Sequence, residues 1–364
     1  VTELFAGDYE MANNQPDQPS LEPTADSQVA KIFEWRRGFN AMHLIDIGVR
    51  LGIFKALADA PEIAPEAIAE RLELHAPYVR TWCTTAFSFG LLEEGEGDTF
   101  RLAPFIDEIL ANKGHPRYLG GYVRLGTEFA TEDHRYCLEA FRTGSTVPFQ
   151  GRSEAFAESV AEGTAGLQVL SARKLLPALP GLKERLDRGG SLLEVGCGTG
   201  RHLLQLAKAF PEARCVGVDI DPTGMTAARQ AIAEAGVADR VTLVEGDVAT
   251  AVPEASVAAV VMIEVLHEIA PAIRQHVIDG CYRALGAGGW LLIVDETYPS
   301  TLAQARQPEY LFPIQTGFEE LTWGNELPTR EEQETLLRSA GFEGKIGRSI
   351  VGEGFTVLSV QKLS

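Results

Sequence analysis

The spacing of apolar positions changes character twice along the chain. Residues 1–28 are rich in Asn, Gln, Pro and acids and carry little apolar periodicity, which predicts a flexible tail. From Val29 the spacing turns helical, through Ile32, Phe33 and Trp35 to Met42, Leu44, Ile45, Ile47 and Leu51. That much apolar helix surface needs a partner, within one subunit or in a second one. A short amphipathic helix over Ala64–Leu72, with Pro65 near its start, precedes a turn and a second helix over Pro77–Phe89 that Gly90 ends. Leu91–Leu102 then reads as two short strands around a Gly-rich turn. Helix, turn, helix and hairpin is the order of a winged helix, so residues 29–112 are expected to form one α-rich winged-helix domain. Residues 113–185 read as a mostly helical connector with a loop at Gly144–Pro148. Beyond a Gly-containing linker at 180–190, short β-branched runs alternate with helices. Strands are expected at 191–195, 214–218, 241–244, 258–263 and 290–294, with helices at 201–210, 222–236 and 271–285. Two antiparallel edge strands are expected at 345–350 and 355–361. Residues 186–364 therefore predict an α/β, Rossmann-like domain with a mostly parallel seven-stranded sheet covered on both faces.

Composition narrows the setting. Acidic residues outnumber basic ones 51 to 32, for a formal charge of −19, which repels phosphate backbones and argues against a nucleic-acid partner. The helix expected at 77–89 has Arg80 as its one basic residue, and the hairpin sets Glu93, Glu94, Glu96 and Asp98 against Arg101. A DNA reader needs Lys and Arg there. No apolar run reaches the ~18–20 residues that cross a bilayer, so no membrane partner is expected. The five cysteines form no C-x-x-C pair, and the acidic start does not read as a signal peptide. Both point to a cytoplasmic protein.

The chemistry concentrates in Glu194-Val-Gly-Cys-Gly-Thr-Gly200, between an expected strand and helix. Glycines there let the backbone turn sharply and approach a ligand. A dinucleotide loop would place its third glycine at 201, where this chain has Arg. Asp219 ends the next strand, where an acid can accept both hydroxyls of a ribose. Asp247 and Val248 follow the third strand, where a carboxylate can accept an adenine amino group. Gly286–Gly289 reads as the tight turn into the fifth strand.

This ordered set, over roughly residues 192–360, resembles the class I S-adenosylmethionine (SAM)-dependent methyltransferases. The resemblance implies SAM as cofactor, with Glu194 near its amino group and Gly196, Gly198 and Gly200 beneath its methionyl and ribose parts. Asp219 would hold the ribose, Asp247 and Val248 would contact the adenine, and Cys197, Ile220 and Glu264 complete the expected cofactor set. No Pro-Pro or Pro-Cys pair occurs, so the signatures of amide and cytosine-C5 methyltransferases are absent. Leu266-His-Glu268 through Asp295-Glu-Thr-Tyr-Pro299 looks like small-molecule O-methyltransferases whose winged helix serves dimerisation. In that family the His removes a proton from the acceptor hydroxyl, which implies catalytic roles for His267, Glu268 and Glu296. An acid among Glu268, Asp295 and Glu296 would orient the imidazole. A histidine suits this task, since a positioned base adds ~10²–10⁴-fold and imidazole titrates near neutrality.

The expected partners are a small-molecule acceptor and a second copy bound through the N-terminal helices. No metal-ligand set stands out; His134 beside Asp133 reads as solvated helix surface. Tyr122, Phe129, His134, Tyr136, Tyr298, Tyr310, Phe312, Phe318 and Trp323 are candidates for the acceptor pocket. C- or N-methylation of a small molecule, hydroxylation or decarboxylation by a member that has lost transfer, and a SAM-binding winged-helix regulator remain open alternatives.

Overall fold

The computed structural model describes residues 23–363. The chain divides into two compact units, at Glu128 and Phe129. Residues 113–128 of the expected connector thus join the first unit and 129–185 the second.

In the first unit, helix α1 (Ala25–Arg50) opens on a capping box formed by Thr24 and Ser27. Helix therefore begins inside the tail expected over 1–28, the rest of which lies outside the described residues apart from Pro23 and Thr24. Ile53–Ala58 (α2), Pro65–Arg71 (α3) and Ala76–Ser88 (α4) follow, then strands β1 (Leu92–Glu94) and β2 (Phe100–Leu102), paired antiparallel. A small core of Phe54, Leu57, Ile68, Val79, Trp82 and Leu92 fixes this arrangement. Trp82 donates its indole N–H to the Leu44 carbonyl at 2.9 Å and stands edge-on to Phe54. The two basic groups of the helix and hairpin read as unsuited to DNA are engaged within the unit. Arg80 pairs with Glu66 at 2.7 Å, and Arg101 with Glu93 at 2.9 Å. The first half of α1 stays bare: Val29, Ile32, Phe33, Trp35 and Phe39 are each at least half exposed.

The second unit is built on a seven-stranded sheet of order β5-β4-β3-β6-β7-β9-β8. Strands β3 (Ser191–Val195), β4 (Arg214–Asp219), β5 (Val241–Glu245), β6 (Val257–Ile263) and β7 (Leu285–Asp295) are parallel, and β8 (Gly347–Val351) and β9 (Phe355–Gln361) antiparallel. Every residue of β6 is buried, as a central parallel strand covered on both faces requires. Two apolar layers, one per face, bury Leu192, Leu203 and Phe210 on one side and Leu193, Val260 and Ile278 on the other.

Two local expectations change. The glycine run 286–289 lies within β7 instead of forming the turn before it, because Leu285 already pairs with Val257. The expected linker 180–190 contains a helix, Leu182–Asp187, whose Leu182 and Leu186 are buried in the sheet's core. Strand order reverses between β3's neighbours β4 and β6, which opens a crevice at their carboxyl ends. Among the described residues, no helix is long and apolar enough to cross a membrane.

Candidate active site

The glycine loop lines that crevice, leaving β3 and turning into the helix Arg201–Ala209. Gly196, Gly198 and Gly200 all have positive φ, at 72°, 48° and 76°. A side chain at Gly196 would also collide with Val265, so the position needs glycine twice over. Asp219 clamps the loop by accepting from Gly198 N at 2.7 Å and from Asp221 N at 2.8 Å. Gly224, in the helix Pro222–Glu234, lies so close to the Gly198 backbone that a Cβ would crowd it. Asp221 caps that helix through Gly224 N at 2.8 Å and holds Gly151 N at 3.1 Å. Sequence reasoning passed over Asp221 and Gly224, although Asp-Pro before a helical pattern is a capping signal.

Every residue expected to bind the cofactor, Gly200 excepted, lines this one cleft. Gly200 sits instead at the start of the helix Arg201–Ala209, packed on Ala228. Glu194 is buried and hydrogen-bonded through Oε1 to His202 Nδ1 at 2.9 Å. Burial, and to a lesser degree Asp219, push its carboxyl above the usual range against the pull of His202. Its Oε2 and the Thr199 hydroxyl are buried without a hydrogen-bond partner. Asp247 accepts from Ala249 N at 2.8 Å and meets His276 Nε2 at 2.9 Å. Cys197 is buried against Met225, and burial raises its thiol pKa. Ile220 is 66% exposed, an apolar surface ready to cover a ring. A ligand with hydrogen-bond donors, a positive charge and one flat apolar part fits these walls.

At the far end, Glu264 and Glu268 line the cleft, whereas His267 does not. His267 is 3% exposed and lies behind them among carboxylates. Its Nδ1 is 2.8 Å from Asp295 Oδ1 and 3.2 Å from Glu296 Oε2, and its Nε2 is 3.8 Å from Glu320 Oε1. Burial alone would depress the imidazole pKa, but Asp295 and Glu296 outweigh it and hold it well above the usual value. Burial, and then neighbouring acids, push Glu264 and Glu268 well above the carboxylate range, and Glu296 up to about 7. Asp295 Oδ2 also accepts from Leu266 N at 2.7 Å, and Arg274 donates to the carbonyls of His267 and Ile269, so the loop after β6 is fixed from both sides. Glu320 and Arg274 were not foreseen; Glu320 comes from a distant segment and Arg274 from the helix that follows the loop, neither with a local motif.

The aromatic lining differs from expectation. Phe149 and Phe156 face the cleft. Among the expected acceptor residues in this unit, Phe129 and Trp323 pack behind Phe156, Phe312 packs on Phe355, and His134 stacks on Phe318. Tyr136, Tyr298 and Phe318 are exposed, and none of these, nor Tyr310, lines the cleft. Tyr122 belongs to the first unit. Asp133, expected to be solvated, is buried, paired with Arg152 and bonded to the Trp323 indole at 2.8 Å.

A family model described as a methyltransferase domain matches residues 192–289, the span from β3 to the glycine run in β7. The chain is a SAM-dependent methyltransferase. This methyltransferase is 28% identical over 254 residues to 3-hydroxy-5-methyl-1-naphthoate 3-O-methyltransferase of Streptomyces sahachiroi, covering 67% of this chain and 70% of that protein. It is 27% identical over 329 residues to aclacinomycin 10-hydroxylase RdmB of Streptomyces purpurascens, covering 85% and 81%. Human N-acetylserotonin methyltransferase in complex with SAM shares the fold, with a TM-score of 0.74 at 20% identity over 94% of this chain and 100% of that one.

Proposed function

We propose that this methyltransferase O-methylates the hydroxyl of a small molecule, with Glu268 as the group that receives the acceptor's proton. One observation carries the reading: the glycine cradle and the carboxyls of Glu264 and Glu268 line the same cleft. When bound, SAM supplies an electrophilic methyl group on a sulfonium, so the chain's own task is to align the acceptor and unmask its lone pair. Glu194 and Asp219 would hold the amino and ribose ends, Ile220 and Val248 the two sides of the adenine, and Asp247 its edge. Glu264 would face the sulfonium charge. His267 acts through its neighbours as a positioning residue: pinned by Asp295 and protonated, it holds the acid cluster in place instead of taking a proton. The O-methyltransferase relatives support hydroxyl as the acceptor class.

The first unit supports dimerisation. Its helix–turn–helix and hairpin form a winged helix whose arginines are already paired, while the bare apolar face of α1 suits a second copy of the chain. The five free thiols suit a reducing cytoplasm.

Turnover of SAM against panels of phenols, amines and thiols, read by mass spectrometry of the acceptor, tests the chemistry. A phenol is expected to gain one methyl on oxygen. Glu268→Gln is expected to lower kcat by ~10²–10⁴-fold with SAM affinity retained. Methylation on nitrogen or carbon, or a hydroxylated product, would overturn the O-methyl reading, and an unchanged kcat would remove Glu268 from it.

A further inference from the structure

Position 202 breaks the pattern of the helix it sits in. The helix Arg201–Ala209 turns Leu203, Leu206 and Ala207 inward, and His202 is buried with them at 2% exposure. One turn separates it from Leu206, so it stands on the apolar stripe. An imidazole there needs a reason, because burying its nitrogens unpaired is costly. Among the described residues its hydrogen-bond partner is Glu194: Nδ1 lies 2.9 Å from Oε1, while Nε2 has none. The tautomer that fits donates from Nδ1 and leaves Nε2 as a bare acceptor.

This bond leaves Glu194 half satisfied. Oε1 is taken, Oε2 is buried without a hydrogen-bond partner, and the residue lines the cleft beside the glycine loop. Burial pushes its carboxyl up, toward the protonated form that holds a cation poorly, and His202 pulls it back. Asp219 pushes the same way as burial, and the charge of Glu194 reaches the buried thiols of Cys197 and Cys215. Of the titratable groups that face this carboxyl, His202 is thus the one that favours its charge.

We propose that His202 is a positioning residue for the cofactor: it grips Glu194 Oε1 from the protein side and so leaves Oε2 as the oxygen that receives the amino group of SAM. The inference rests on the reading that Glu194 meets that end of the cofactor. Packing alone would be served by an apolar side chain; only the bond to Glu194 gives the imidazole a purpose here.

The test is calorimetry of the full chain with two probes, SAM and methylthioadenosine, which keeps the adenine, ribose and sulfur but lacks the amino group. His202→Leu is expected to weaken SAM ~10-fold and to leave methylthioadenosine unchanged, as loss of one hydrogen bond to a charged group predicts. His202→Ala serves if the leucine variant does not fold. His202→Asn, whose amide can donate from nearly the place of Nδ1, should restore SAM affinity to within ~3-fold of wild type. In a Glu194→Gln background, His202→Leu should add no further loss. Lowering the pH should weaken SAM binding as Glu194 takes up its proton, and His202→Leu should move that loss to higher pH, because the histidine's pull is gone. Wild-type SAM affinity in Glu194→Gln would overturn the reading of Glu194 and the inference together. A loss in Glu194→Gln that His202→Leu does not share would overturn the inference alone, as would an equal loss of both probes in His202→Leu, the mark of a packing defect.

Discussion

On the glycine-loop wall of the cleft, polar atoms are matched mostly by backbone: Asp219 takes two N–H groups, Asp221 takes two more, and Asp247 caps its own turn. On the floor, carboxyls from three segments crowd one imidazole. The first wall is a preformed mould, rigid because its backbone is spent. The floor is a crowd of buried ionisable groups in which burial raises the carboxyl pKa values of Glu264, Glu268 and Glu296. Binding and chemistry are thus supported by different physics a few ångströms apart, and they should fail differently.

Asp295→Ala should give the largest effect. It strips acceptors from the N–H groups of Leu266 and Glu296 and from His267 Nδ1, leaving the buried imidazole with Glu296 and Glu320 alone. A loss of ~3–5 kcal/mol is expected, read by denaturant unfolding. A loss under ~1 kcal/mol would mean that the floor is not held by charge pairing. Asp219→Ala attacks the mould. SAM affinity measured by calorimetry should fall ~10–100-fold, with a smaller stability loss than Asp295→Ala; an unchanged Kd would remove Asp219 from the cofactor site.

The smallest effect concerns pH. Burial, and then Glu320's charge, push the Glu319 carboxyl up to about 7. Because the folded value exceeds the unfolded one, the protonated group favours folding. That contribution is full below about pH 4.5 and is lost as pH rises through about 7. Glu319→Gln should therefore melt with the wild type near about pH 5 and above it near about pH 8.5, by ~1 kcal/mol once solvent screening is allowed for. Parallel melting curves at the two pH values would assign Glu319 to the solvated surface instead.

The same division governs what the sequence reveals. Strands β3 and β9 begin and end where alternation and turn residues place them, and the mould is legible because its parts are contiguous: a glycine triplet, an acid at a strand end, a Gly-Asp pair. Backbone constraints leave marks in local sequence. The floor is legible only in part. Glu268, Asp295 and Glu296 stand out beside His267, but Glu320 reaches it from the helix Pro308–Trp323 with no spacing to announce it. The acceptor aromatics were misplaced for a related reason. Helical periodicity marks the buried face, and it cannot separate Trp323, packed behind the wall, from Phe156, which forms it. His267, expected as the base, lies buried among these acids, 2.8 Å from Asp295.

Glu264 holds a φ of 57°, in a region that L-residues enter at a cost of roughly 1–2 kcal/mol. The position therefore sets two selective demands against each other. A glycine would relax the backbone and toughen the fold, yet it would delete the carboxyl that faces the cleft. Random libraries screened for heat tolerance should enrich glycine here, whereas libraries screened for product should purge it, so this one residue reports which of the two pressures shaped the chain.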